Sequence, residues 1–182
     1  MGRSTFQGPI RSLGGIYQQG PATVVEITSA TTLNPADHGG RIISVGGTLA
    51  SDLTLTLPTI NTSTNPTTSG PGQDPNTLNN EGVVYTIWVP TTIATSEVKI
   101  GTTSGSSDLY IGTLLSVDTD SSDAVRGFTA NGSSNDFINL NGGTKGGRAG
   151  TWIQIVAIAA NKYMVTGVIL GSGAVATPFA DS

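Results

Sequence analysis

The chain has 182 residues, a net charge of −4 at pH 7 and only 11% charged side chains, so it lacks the basic balance of a nucleic-acid binder. It has no cysteine and a single histidine, His38, which excludes disulfides, thiolate metal sites, thiol nucleophiles and multi-histidine metal cages. No apolar run approaches the roughly 18 residues that a membrane-spanning helix needs, and the opening MGRSTFQGPIRSLGG has no apolar stretch of the secretion-signal kind.

Residues 1–21 read as an extended arm. Pro9 and Pro21 cannot donate backbone hydrogen bonds, and Gly8, Gly14, Gly15 and Gly20 interrupt any periodicity. Apolar residues are spaced along it (Phe6, Ile10, Leu13, Ile16, Tyr17), and its charged side chains, Arg3 and Arg11, are both basic. Such a segment has too little apolar surface to fold on itself. It suits strand addition to a neighbour.

Strand signals then follow at short intervals through residues 22–182. They are Thr23 to Thr28, Arg41 to Val45, Leu53 to Leu57, Val83 to Val89, Glu97 to Ile100, Leu109 to Leu115, Asp136 to Leu140, Thr151 to Ile158 and Lys162 to Leu170. Leu53-Thr54-Leu55-Thr56-Leu57 alternates strictly, which puts three leucines on one face. Ala159-Ala160-Asn161 reads as the turn of a hairpin between the last two. No stretch carries a sustained helical period, so a parallel α/β sheet is not expected. The expected fold is all-β, a single sandwich or barrel-like domain of about eight to ten strands. One long loop, 58–82, interrupts it, with Pro58, Pro66, Pro71 and Pro75 and no aromatic residue. A loop of this length in a compact domain is usually functional or disordered, and the functional reading lays it on a neighbouring subunit.

Few residues suggest chemistry. Asp118, Asp120 and Asp123 crowd three carboxylates, but a calcium loop needs an acid where Thr129 stands, and a solvated turn is expected. Asn141 to Arg148 is glycine-rich but lacks the Gly-Lys-Ser/Thr ending of a phosphate loop, so it reads as a hairpin loop. His38 has no G-x-S-x-G elbow to serve, and its segment reads as a turn before a strand. Asn61-Thr62-Ser63 and Asn131-Gly132-Ser133 fit glycosylation sequons, which matter only in a secretory context. Trp88 and Trp152 lie in strong strand runs and are expected in the core rather than as sugar platforms.

Two stretches carry a family resemblance. The opening Gly2-Arg3-Ser4-Thr5-Phe6-Gln7-Gly8-Pro9-Ile10-Arg11-Ser12 resembles the start of small virion structural proteins of tailed phages, especially those of marine bacteria and cyanobacteria. The closing part is similar to the same proteins, from Asn139-Leu140-Asn141-Gly142-Gly143 through Gly150-Thr151-Trp152-Ile153 and Tyr163-Met164-Val165-Thr166-Gly167 to Ala176-Thr177-Pro178-Phe179-Ala180. The resemblance implies a capsid decoration, or cement, protein. Such proteins form trimers on the outer capsid surface, with β-rich cores and extended arms, and the family has no catalytic residues.

The expectation is therefore a non-enzymatic virion protein, made in the host cytoplasm and carried on the outer capsid surface. Its partners would be the major capsid protein and further copies of itself in a homotrimer, with no cofactor, no metal, no nucleic acid, no membrane and no small-molecule substrate. The arm would supply the capsid contacts: Phe6, Ile10 and Tyr17 as apolar anchors, Arg3 and Arg11 toward capsid acids, and Pro9 in the extended backbone. A part of the phage tail or of an adhesion appendage is the alternative reading, and a carbohydrate-binding or hydrolytic module is a third.

Overall fold

The computed structural model describes residues 20–63, 75–120 and 125–181, together with Leu13. The arm residues Arg3, Phe6, Pro9, Ile10, Arg11 and Tyr17 lie outside the described residues, as do 64–74 of the long loop.

In chain order the strands are β1 (Val24–Glu26), β2 (Thr31–Thr32), β3 (Ile42–Ser44), β4 (Leu53–Thr56), β5 (Val84–Trp88) and β6 (Val98–Gly101). They continue as β7 (Leu109–Asp118), β8 (Val125–Thr129), β9 (Phe137–Leu140), β10 (Trp152–Ala159), β11 (Lys162–Gly171) and β12 (Phe179–Ala180). They form two mixed sheets, one of seven strands in the order β1-β3-β5-β10-β11-β7-β8 and one of five in the order β12-β9-β6-β4-β2. The protein is an all-β, sandwich-like fold. The expected strand runs all appear. Three strands were not legible in advance: the two-residue β2 and β12, and β8, whose sequence VRGFT has no strict alternation.

The connectivity departs from a meander. From β1 to β6 the chain alternates between the sheets, so each strand pairs with one a full lap away. Val24 pairs with Ile42 and Ile42 with Thr86 in one sheet, while Thr31 pairs with Leu55 and Leu55 with Ile100 in the other, all parallel. Parallel strands need a crossover, and here a strand of the opposite sheet supplies it instead of a helix. The later strands close the stack with antiparallel pairings of β10 to β5 and to β11, of β6 to β9, and of β7 to β8. The β10–β11 hairpin turns at Ala160 and Asn161, with Asn161 in the left-handed region at φ 61°.

Alternation decides what is buried. Leu53, Leu55 and Leu57 all point inward, as do Tyr85 and Ile87 on β5, Ile153, Ile155 and Ala157 on β10, and Val98 and Ile100 on β6. They form one continuous cluster between the sheets, running from Ile27 to Phe179. Tyr110 ties the layers together: its ring lies 6.5 Å from that of Tyr163 and 6.4 Å from that of Phe179, and its hydroxyl donates to the Ile100 carbonyl of the opposite sheet at 3.0 Å. Gly112 on β7 has φ +109°, and a side chain there would strike the Val165 carbonyl of β11. Only glycine lets these two parallel strands approach.

The segment around His38 is a short helix, α1 (Pro35–His38), where the sequence suggested a turn. Asn34 caps it by accepting from the Asp37 amide at 2.8 Å, and Pro35 stands in its first turn.

Candidate interaction surfaces

Six features set out by the sequence can be placed. His38 is buried, and its Nδ1 accepts from the Asn34 amide at 3.0 Å, so its ring holds the helix in place. The Asp120 amide donates to Asp118 Oδ1 at 3.0 Å, and Asp120 Oδ2 accepts from the Gly173 amide, so both carboxylates are engaged in shaping their loop; Asp123 lies outside the described residues. Among the described residues no group of three or more His, Asp or Glu side chains is placed to hold a metal ion.

The segment Asn141–Arg148 is a correction. Its tip is hairpin-like: Asn141 Oδ1 accepts from the amides of Gly143 and Lys145, each at 3.0 Å, and Gly143 bridges Gly146. Its flanking strands do not pair with each other, because β9 belongs to the five-stranded sheet and β10 to the seven-stranded one. The segment is a crossover between layers. Glycine-rich composition reports the tight turn and not the sheet that follows it.

The roots of the long loop are firmly held. Asp108, buried on one side of the core, accepts from the Ile60 amide through Oδ2 at 3.0 Å. Asn80, also buried, accepts from the Asn61 amide at 2.8 Å and donates to the Thr59 carbonyl at 3.0 Å. The Tyr163 hydroxyl donates to the Pro58 carbonyl at 2.6 Å. Both sequon asparagines cap their own loops: Asn61 Oδ1 accepts from Ser63, and Asn131 Oδ1 accepts from the amides of Ser133, Ser134 and Asn135.

Trp88 and Trp152 are the second correction. They stand opposite each other in the β5–β10 register on the outward face of the seven-stranded sheet; Trp88 is half-buried and Trp152 is exposed. Their inward neighbours Ile87, Val89, Thr151 and Ile153 take the core positions. A strand run announces period-two burial without saying which of its two faces turns inward.

The two outer faces differ in chemistry. On the five-stranded sheet Lys99 pairs with Asp52 at 3.0 Å. The Glu97 amide and then Lys99 hold the Asp52 carboxyl below its usual value. Phe137 lies over Gly101, where no side chain would fit beneath its ring, and borders a shallow depression of about 220 Å³ shared with Lys99, Asn139 and Asp181. On the seven-stranded sheet the outward residues are mostly aliphatic, aromatic or threonine, with Glu26 at one edge and Lys162 at one end as the charged exceptions among the described residues. A narrow cleft of about 100 Å³ opens where β1, β3 and β5 end, lined by Glu26, Ser44, Gly46, Gly47 and Pro90 among others. Among the described residues no helix is long and apolar enough to cross a membrane.

Comparison with known protein families, with curated proteins and with solved structures finds no match for this chain.

Proposed function

We propose that this chain is a non-enzymatic structural protein of a virion, a capsid decoration or cement protein of a tailed phage. In this reading it sits as a homotrimer on the outer capsid surface and bridges capsomers through its N-terminal arm. The observation that supports the reading is a contrast along the sequence, a glycine-broken basic segment ahead of an all-β body. The core cluster lies entirely between Ile27 and Phe179 among the described residues. The first strand of the body, β1, is an edge strand of the seven-stranded sheet, and the sequence ahead of it holds Phe6, Ile10 and Tyr17 beside Arg3 and Arg11, which in this reading are the capsid contacts. The glycine- and proline-broken sequence of residues 1–21 suits strand addition to a neighbour, and three arms on one trimer gain avidity from weak single contacts.

Co-sedimentation with empty shells of the cognate major capsid protein tests this. The full-length chain should bind saturably and a chain lacking residues 1–20 should not, with the melting transition of the truncated body nearly unchanged. Absence of binding by both would move the protein to a tail or appendage role. Binding by both would take the grip away from the arm.

A further inference from the structure

We infer that the outer face of the seven-stranded sheet is the surface through which copies of this chain join one another. The inference deepens the homotrimer named above and rests on it; the capsid partner plays no part in it. Apart from Leu13, every large hydrophobic side chain recorded as exposed among the described residues lies on this face: Val24, Leu115, Val125, Trp152, Ile158, Met164 and Val168. They are contiguous. Trp88, Trp152, Val168 and Leu115 stand in register across β5, β10, β11 and β7. A second apolar row runs from Val84 through Val156 and Met164 to Ile111. Between the two lies a polar, uncharged row of Thr86, Gln154, Thr166, Thr113 and Thr129, in which the hydroxyls of Thr113 and Thr129 are 3.0 Å apart. Contiguous apolar patches beyond a few hundred Å² mark interaction sites.

Charge and area select a second copy as the occupant. Among the described residues of β5, β10, β11, β7 and β8, Lys162 is the only charged side chain whose register turns it outward, and its ammonium donates to the Gly132 carbonyl at 2.7 Å; Arg126 of β8 is exposed but shares the register side of the buried Ser116. Two chains of net charge −4 meet here with no like charges opposed, whereas the other sheet would bring its Asp52, Lys99 and Glu97 network into the contact. The strand lengths and spacing give the face on the order of 700 Å², close to the ~800 Å² that each partner contributes to a stable complex.

The test is sedimentation of the isolated full-length chain from dilute to concentrated solution, with no capsid shells present. The expected result is a mass that rises above the 18.5 kDa of one chain toward that of three as concentration increases. Val168→Lys combined with Leu115→Lys should weaken association about thirtyfold or more, the effect of an unpaired charge buried in an interface. Both side chains point outward, so the melting temperature measured at dilutions where the wild type is monomeric should hold. Because the chain has no cysteine of its own, Met164→Cys supplies a unique thiol at an exposed position, and its reaction with a maleimide should slow as the protein is concentrated. A wild-type mass of 18.5 kDa at every concentration overturns the inference, as does a lysine variant that keeps the wild-type mass. Slow labelling at the monomer mass overturns it too, since residues of the same chain would then cover the face. Association without shell binding would sink the capsid reading and leave this one, and shell binding by a monomer would sink this inference together with the homotrimer while leaving the capsid contact.

Discussion

The Tyr163 hydroxyl donates to the carbonyl of Pro58 across 2.6 Å, joining β11 in the core to the first root of the long loop. The hydroxyl of Tyr85, by contrast, is buried without a hydrogen-bond partner. The same deletion of one oxygen should therefore act oppositely at the two sites. Tyr163→Phe should cost about 0.5–1.5 kcal/mol plus the penalty of a stranded carbonyl. Tyr85→Phe should leave stability unchanged or raise it by about 1 kcal/mol, because it removes a buried polar atom that gains nothing from folding. Urea unfolding of the two variants separates them, and equal losses would refute the contrast.

Alkaline pH should unfold the protein through its tyrosines. Burial pushes the phenols of Tyr85, Tyr110 and Tyr163 well above their ordinary value of 10.0. The folded state thus holds these protons more tightly than the unfolded chain. The stabilisation is complete below the unfolded pKa near 10 and drains away as pH rises past it. The urea midpoint should stay level from neutral pH to about 9 and then fall. The tyrosinate absorbance of these three residues should appear together with loss of the fold. Gradual ionisation in an intact protein would contradict their burial.

Asn80 pins both roots of the 58–82 loop through Asn61 and Thr59. Asn80→Ala should cost about 1–3 kcal/mol, because it leaves a buried amide and carbonyl unpaired. It should also speed proteolytic cleavage within the loop more than elsewhere, as judged by mass spectrometry of the first fragments. Cleavage spread evenly over the chain would mean that the loop roots are held by something else.

Gly112→Ala should be among the most damaging single substitutions. A methyl group there meets the Val165 carbonyl, and the backbone sits at φ +109°, so strain and collision add. The expected loss is at least about 3 kcal/mol, or failure to accumulate soluble protein. Gly127→Ala on neighbouring β8, where the nearest atom is the Thr113 methyl at 3.6 Å, is the matched control and should be nearly silent.

The tryptophans and their inward neighbours should rank in the order that the structure sets. Ile87→Ala empties a fully buried site and should cost about 2–5 kcal/mol. Trp152→Ala, on the outer face, should cost roughly 1 kcal/mol or less in the isolated monomer. Chemical denaturation at low concentration checks the order, and a reversal would return Trp152 to the core.

Legibility in the sequence followed the locality of the signal. Leu53 to Leu57 announces its own burial pattern because the alternation is carried within five adjacent positions. The β10–β11 hairpin is legible for the same reason, since Asn161 marks its own left-handed turn. Pairing between laps leaves no such trace. Nothing near Ile42 says that it stands beside both Val24 and Thr86. The outward facing of Trp88 and Trp152 depends on which side of β5 and β10 the second sheet covers, and that is set by strands distant in sequence. The two-residue β2 and β12 are too short for any period to show. The arm residues proposed for capsid contact rest on composition and resemblance, with no local geometry beside them.

The lapped connectivity of β1 to β6 has a kinetic consequence. None of these six strands pairs with its neighbour in sequence; the consecutive strands that pair are β7 with β8 and β10 with β11. Each early pairing must close a loop before it gains a hydrogen bond, and loop closure of this kind slows folding. The free side of β5 waits for β10, made more than sixty residues later. During synthesis the first half of the chain therefore emerges without the strand that closes its sheet, and the last segments made, β10 to β12, are the ones that lock it.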